Sequence, residues 1–168
     1  MSETVIVEAD EAGLCRFRLV TEQNKSLEIA PTKYEDILHI IHSIVNGRRM
    51  AIDVKGVKIN IEELLMLCKN VSSIWNEYIV FADLLRRGKK PRIDAEQGTL
   101  LIEDQRIQVI VLKEDELVSI QALIDAIEKA QRRGYTSIIA VVDIHGDVTY
   151  YEASKIVMPK IERKVGNR

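Results

Sequence analysis

The pattern of apolar and polar positions is clearest in residues 136–152, where two β-type runs flank a short polar turn. Ile138 to Val142 is an unbroken apolar and mostly β-branched run, which is typical of a strand covered on both faces. Asp143 to Asp147 has the polar and glycine residues of a turn, and Val148 to Tyr151 resumes a β-branched and aromatic run. Upstream, Glu116 to Arg133 has the apolar spacing of a long amphipathic helix. A helix that leads into a buried strand predicts an α/β core for this half of the chain.

The rest of the chain predicts shorter elements of both kinds. Strands are predicted at Thr4 to Val7, at Leu14 to Val20, in a hairpin from Met50 to Ile59, around Ile93, at Thr99 to Glu103 and at Arg106 to Leu112. Helices are predicted at Tyr34 to Val45 with a capping box of Thr32 and Glu35, from Asn60 to about Lys69, and at Ser72 to Arg87. We therefore expect an α/β (α+β) protein in two parts: a small N-terminal α+β domain over residues 1–70, a C-terminal α/β domain over residues 71–157, and a basic tail over residues 158–168.

Composition narrows the class of protein. The chain has 168 residues, of which 46% are hydrophobic and 30% charged, as in an ordinary globular protein. Its formal net charge of −2 gives no bulk affinity for nucleic acid. No apolar run approaches the length of a membrane span, and no leader-like segment begins the chain, so we predict a cytoplasmic protein without a membrane partner. Cys15 and Cys68 are far apart and form no Cys-x-x-Cys motif, which predicts buried or free thiols in a reducing compartment.

Two groups of residues suggest chemistry but have ordinary explanations. His39 and His42 share a helix at a spacing of three, but no third ligand is near in sequence, so we predict no metal site. The basic cluster is defined by Arg86, Arg87, Lys89 and Lys90, with Arg92 close behind. Such residues contact nucleic-acid phosphates, but cations at a helix C-terminus also complement the helix dipole, and this second interpretation is favoured. The basic tail has the same two interpretations.

A resemblance to a known family goes further than these patterns. Residues 78–88, Tyr-Ile-Val-Phe-Ala-Asp-Leu-Leu-Arg-Arg-Gly, resemble the Tyr-Leu-Val-Tyr-x-Asp-Leu-Arg-x-Arg-Gly element of archaeal tRNA-splicing endonucleases. Residues 138–151 are similar to the closing strand pair of the same family, and the order of the elements between the two motifs also fits. In the N-terminal half, the helix at 33–46 and the Asn60-capped helix resemble the family's amino-terminal domain. The resemblance therefore covers nearly the whole chain, and implies a C-terminal domain of the tRNA-intron endonuclease type.

The resemblance implies a reaction and three catalytic roles. Family members cut pre-tRNA at bulge-helix-bulge sites without a metal or cofactor, and they leave a 2′,3′-cyclic phosphate and a 5′-hydroxyl. A tyrosine serves as general base, a histidine as general acid and a lysine as the stabiliser of phosphate charge. In this chain Asp104 stands at the position matching the histidine and Tyr135 at the position matching the lysine, while the loop from Asp94 to Thr99 has neither tyrosine nor histidine. The chain alone is therefore expected to be inactive.

An inactive member of this family implies a catalytic partner. We expect a structural subunit in a two-plus-two heterotetramer with a catalytic tRNA-splicing endonuclease subunit, acting on pre-tRNA. By the resemblance, Asp143, His145 and Asp147 form a docking turn that enters a basic pocket of the catalytic subunit. The last strand, with Val148, Tyr150 and Tyr151, is expected to associate with that subunit, and its sequence leaves open which tyrosine faces the partner. Two alternatives are a stand-alone RNA-binding module and an active homo-oligomeric ribonuclease.

Overall fold

The structure is a computed structural model that describes residues 3–20, 26–29, 34–94 and 96–154. Its strands are β1 (Glu3–Ala9), β2 (Cys15–Val20), β3 (Ser26–Ile29), β4 (Arg49–Ile52), β5 (Lys58–Ile59), β6 (Arg92–Asp94), β7 (Thr99–Ile102), β8 (Ile107–Lys113), β9 (Thr136–Val142) and β10 (Val148–Ala153). Its helices are α1 (Tyr34–Val45), α2 (Ile61–Leu67), α3 (Lys69–Ser72), α4 (Trp75–Arg86) and α5 (Ile120–Arg132), with a 3-10 turn at Glu103–Gln105. The chain is therefore a mixed α+β protein, which confirms the predicted class at that level.

The N-terminal sheet has the strand order β3-β2-β1-β4-β5. β1 pairs antiparallel with β2 and parallel with β4, so the sheet is mixed. In β2, Cys15 and Phe17 are buried while Arg16 between them is exposed, the alternation of a strand that is covered on one face. The predicted hairpin is formed by β4 and β5. β3 has no counterpart among the predicted strands.

The C-terminal sheet has the order β10-β9-β8-β7-β6. β8 and β9 are parallel and α5 connects them, while the other neighbouring strands are antiparallel. β9 lies inside the sheet, and its Ala140 and Val142 are buried. Because β8 and β9 run in the same direction, the residues that precede both strands lie at one end of the sheet, and the turn after β9 lies at the other.

Helix α4 connects the two halves of the molecule. Its Val80 and Phe81 are fully buried, and it packs on β8, β9 and β10 as well as on α1 of the N-terminal half. The buried hydrophobic cluster accordingly includes residues of both sheets, from Val5 on β1 to Val142 on β9. The division of the chain into domains at residue 70 stays a prediction, since one core is shared by both halves.

The structure corrects the predicted start of two helices. The Oγ atom of Ser119 accepts a hydrogen bond from the backbone of Ala122, so α5 begins at Ile120 and not at Glu116. α4 begins at Trp75 and not at Ser72, because Ser72 is the last residue of the separate helical turn α3. The Asn60 cap is confirmed: Asn60 and Glu63 each bond the other's backbone amide, as the capping-box pattern predicts. The predicted cap at Thr32 and the basic tail over residues 158–168 lie outside the described residues.

The prediction of free thiols is wrong. Cys15 and Cys68 form a disulfide bond, with their Cα atoms 5.2 Å apart. The end of α2 packs against β2 at this point, where the Asn70 side chain bonds both the amide and the carbonyl of Cys15. Sequence separation was the basis of the incorrect prediction, and it says nothing about which residues the tertiary fold brings together.

Candidate functional site: the Asp143 turn and the two ends of the C-terminal sheet

The turn after β9 is held by the first of its two aspartates. Oδ1 of Asp143 accepts hydrogen bonds from the backbone amides of His145 at 2.8 Å and Asp147 at 2.9 Å. These bonds, the one from Asp147 being the strongest influence, lower the pKa of Asp143 below its ordinary value. Gly146 has a φ of +83°, a left-handed conformation that favours glycine. The Asp143 carboxylate therefore organises its own turn.

The same turn occurs twice in the N-terminal half. Asp10 and Asp53 each accept hydrogen bonds through Oδ1 from the amides two and four residues later, with a left-handed glycine three residues on. In all three turns the backbone amide of the aspartate donates to the carbonyl of the fifth residue, and the amide of the glycine donates to the carbonyl of the aspartate. Asp143 thus has the common structural role of an Asp-x-x-Gly hairpin turn. The fifth residue is exposed in all three turns, but only in the third is it charged: Asp147 stands where the other two turns have Leu14 and Val57.

Asp147 lines a cleft of about 910 Å³ between the halves of the molecule. Its lining includes His42, Arg48, Tyr78, Asp83, Arg86, Arg87 and Val148. His145 is exposed on the same turn and is not among the lining residues. Of the three predicted docking residues, Asp143 holds the turn, Asp147 presents a carboxylate beside the cleft, and His145 is exposed outside the cleft lining.

A buried carboxylate, Asp83 on α4, lies at the centre of the cleft's polar contacts. Asp83 is 7% exposed, and its Oδ2 accepts hydrogen bonds from Arg87 Nε and from the Tyr150 hydroxyl, each at 2.7 Å. Arg86 contacts its other oxygen. Burial alone would raise the pKa of Asp83, but the hydrogen bonds from Arg87, Tyr150 and Arg86 outweigh it and lower the pKa. Sequence reasoning missed Asp83, although arginines three and four residues after an aspartate on a helix were an available signal.

The basic cluster is divided by these contacts. Arg86 and Arg87 are anchored on Asp83 and remain largely exposed. Lys89 donates a hydrogen bond to the Gln105 side chain, and Lys90 is exposed. Two of the four cations of the basic cluster, Arg86 and Arg87, therefore form ion pairs with Asp83, which supports a structural role for them.

The last strand, β10, is the edge strand of its sheet among the described residues. Its two tyrosines point to opposite faces. Tyr150 reaches Asp83, and the Arg87 guanidinium lies 5.3 Å from the centre of its ring. Tyr151 is 56% exposed, and Val148 is half-buried against the core. Burial and the hydrogen bond to Asp83 raise the pKa of Tyr150. Tyr151 is thus the tyrosine available to a partner.

The positions that the resemblance assigns to the histidine and lysine lie at the opposite end of the sheet. Asp104 lies in the turn before β8 and Tyr135 directly precedes β9. The register pairs Ile107 with Thr136, so both positions fall at the same end of adjacent parallel strands. The Tyr135 ring has two guanidiniums beside it, Arg106 at 5.5 Å and Arg133 at 5.4 Å from its centre. Arg133 also bonds the buried Asp94 at 2.7 Å.

His39 and His42 pack against aromatic rings of α4. The His39 and Phe81 rings meet edge to face with centres 5.2 Å apart, and the His42 ring contacts both Tyr78 and Phe81. Burial, with Arg48 and His39 nearby, lowers the pKa of His42. Within the part of the chain that the structure describes, no group of three or more His, Cys, Asp or Glu residues is placed to hold a metal ion.

No protein-family model matches the chain, and no curated protein matches it. In the described ranges of the chain, no helix combines the length and apolar character needed to cross a membrane.

Proposed function

We propose that this chain is a structural, non-catalytic subunit of a tRNA-splicing endonuclease. The observation that supports this most is the placement of residues 104 and 135. They lie together at one end of β8 and β9, as a shared active site would require, yet one is Asp104 and the other Tyr135. An ionised carboxylate accepts protons but has none to donate to a leaving group, so Asp104 does not serve as the general acid.

The charge at this end of the sheet does not restore a reaction. Arg106 and Arg133 bring positive charge beside Tyr135, which suits a phosphate. Cleavage also needs groups that take a proton from the 2′-hydroxyl and return one to the leaving oxygen. His145 is beyond the far end of β9, and seven strand residues between it and Tyr135 correspond to roughly 20 Å. That separation exceeds hydrogen-bond reach many times over, so His145 and Tyr135 do not act on one phosphate.

The role left to such a chain is to position a catalytic partner. The Asp143 turn has a defined backbone, and it presents Asp147 at the end of the molecule where the edge strand β10 begins. A carboxylate on an ordered turn suits a basic pocket, because complementary charge sets the register of an interface. We propose that Asp147 docks into the catalytic subunit, that Tyr151 and β10 line the same interface, and that the assembled two-plus-two enzyme acts on pre-tRNA without a cofactor.

The test is reconstitution with a catalytic chain of this family. The two chains are mixed, their mass is measured by light scattering after size exclusion, and a bulge-helix-bulge RNA is added. We expect a two-plus-two complex that cleaves, and no cleavage by this chain alone. Metal-independent cleavage by this chain alone would instead identify an active homo-oligomeric ribonuclease. Failure to assemble, together with RNA binding by the single chain, would identify a stand-alone RNA-binding module.

A further inference from the structure

The end of the sheet that holds Asp104 and Tyr135 carries an exposed cationic and aromatic surface, here called the Arg106 surface. It consists of Arg106, Arg133 and Tyr135, with the two guanidiniums 5.5 and 5.4 Å from the centre of the tyrosine ring. Arg106 and Arg133 are exposed, and Tyr135 is half-buried. Stacking on the ring limits where the two guanidiniums lie, so their charges occupy defined positions.

Arg106 retains its hydrogen-bond donors for a ligand. Arg133 is paired with Asp94, and the neighbouring Glu103 lies 3.6 Å from Arg92. Across residues 3–20, 26–29, 34–94 and 96–154, no carboxylate is paired with Arg106, whose side-chain contact is the Tyr135 ring. Its backbone has a φ of +52°, in the left-handed region that a non-glycine residue rarely adopts. In the described part of the chain, no ion pair within the protein accounts for the charge of Arg106.

The last described strand, β10, ends beside this surface. β10 runs antiparallel to β9, and Ala153 at its end pairs with Ser137, two residues after Tyr135. The sequence that follows, residues 155–168, contains Lys155, Lys160, Arg163, Lys164 and Arg168 against a single acidic residue, Glu162. The sequence after the described residues thus has five cations against one carboxylate, in a chain whose formal net charge is −2.

We propose that the Arg106 surface is an RNA contact, at which Arg106 bonds a backbone phosphate and the ring and guanidinium planes stack on an unpaired base. Cations beside an aromatic ring are the combination by which proteins hold single-stranded RNA, since every base has a face to stack and every linkage a charge. A carboxylate-rich peptide would satisfy Arg106 but would make no use of the ring. The choice of RNA rests on the proposed function, whereas the surface itself is independent of subunit docking.

The experiment uses the full chain and a fluorescent bulge-helix-bulge RNA, with affinity measured by anisotropy at several salt concentrations. Arg106→Gln removes one cation, and we expect the slope of log affinity against log salt to shrink by about 0.7. Tyr135→Leu should weaken binding roughly 5- to 150-fold through lost stacking, while Tyr135→Phe keeps the ring and the affinity. The control is Arg16→Gln, which removes one exposed positive charge from β2 in the N-terminal half and should leave the salt slope unchanged.

A second Arg106 variant separates binding from folding. Glycine adopts the left-handed backbone conformation of position 106 without strain. Thermal unfolding of Arg106→Gly should therefore show a fold at least as stable as that of the parent chain. RNA affinity should nevertheless fall as it does in Arg106→Gln. Unchanged affinity and salt slope in both Arg106 variants would overturn the inference, as would a preference of the surface for an acidic peptide over RNA.

The proposed function would survive that result if the variants still assemble with the catalytic chain and support cleavage. Conversely, intact RNA binding through Arg106 without assembly would reject the proposed function and leave this inference standing.

Discussion

The hydroxyl of Tyr150 donates a hydrogen bond of 2.7 Å to Oδ2 of Asp83, and this contact joins residues 67 positions apart. It fastens the edge strand β10 to helix α4 through a carboxylate that is 7% exposed. One face of β10, with Val148 and Tyr150, therefore packs against the chain's own core, while Tyr151 on the other face is exposed. Alternation along β10 points Tyr150 toward Asp83 and leaves Tyr151 on the exposed face, and the hydrogen bond holds Tyr150 in place.

Tyr150→Phe should lower the free energy of unfolding by about 1.5–3 kcal/mol, since it removes one hydrogen bond to a buried, charged acceptor. Tyr151→Phe is the matched control, because its side chain is 56% exposed, and it should leave stability unchanged. Urea unfolding of the two variants measures the difference. Equal stabilities would show that the hydroxyl of Tyr150 contributes nothing to the fold.

Stability should fall in acid because of Asp83. The fold lowers the pKa of Asp83 from its ordinary value of 3.8. The ionised carboxylate therefore stabilises the folded state at pH values above the pKa that Asp83 has in the unfolded chain. This contribution is lost as the pH falls below about 4 and through the lower, folded-state pKa. Unfolding free energies of the parent chain and of Asp83→Asn, measured from pH 6 to pH 2, should differ less at the acid end. A difference in unfolding free energy that stays constant with pH would show that ionisation of Asp83 does not cause the loss of stability in acid.

The charge of the Asp143 turn should matter for assembly and little for folding. Asp143→Asn keeps the Oδ1 acceptor that bonds the His145 and Asp147 amides, and Asp147→Asn leaves the backbone unchanged. We expect this double variant to fold normally and to weaken assembly with the catalytic chain, measured by light scattering. Asp53→Asn makes the same change in an equivalent turn of the N-terminal half and should assemble normally. Full assembly and activity of the double variant would exclude docking through these charges.

The disulfide should contribute substantially to stability. Cys15 and Cys68 are 53 positions apart, and closing a loop of that length corresponds to about 4 kcal/mol in the chain-entropy treatment. The Cys15→Ser, Cys68→Ser variant should therefore unfold at lower urea concentration than the parent chain, and a reducing agent should shift the parent chain the same way. No shift under reduction would show that the bond is not formed in solution.

The lysines of the basic cluster should contribute little to RNA binding. Lys89 is bonded to Gln105, and the arginines before it are anchored on Asp83. Lys89→Ala with Lys90→Ala should leave the salt dependence of RNA affinity close to that of the parent chain. A drop in the slope of about 1.4, from two lost phosphate contacts, would show that both lysines bind RNA.

The sequence by itself determined the kinds of elements and much of their placement. Alternation along β2 buries Cys15 and Phe17, and the Asn60–Glu63 capping box starts α2, because both features depend on neighbours within a few residues. The unbroken apolar run at Ile138 to Val142 marks β9 for the same reason. The predicted start of α5 was wrong by four residues, since Ser119 was not recognised as the cap.

Only the tertiary structure decided which distant residues meet. It paired Cys15 with Cys68, directed Tyr150 to Asp83, and placed Arg106 and Arg133 beside Tyr135. None of these contacts has a periodic signal in the sequence, because each depends on how separate elements pack and on which strands are parallel. The sequence pattern therefore marked the Asp143 turn as a feature of interest, and the fold showed that Asp143 holds that turn while Asp147 is exposed beside the cleft.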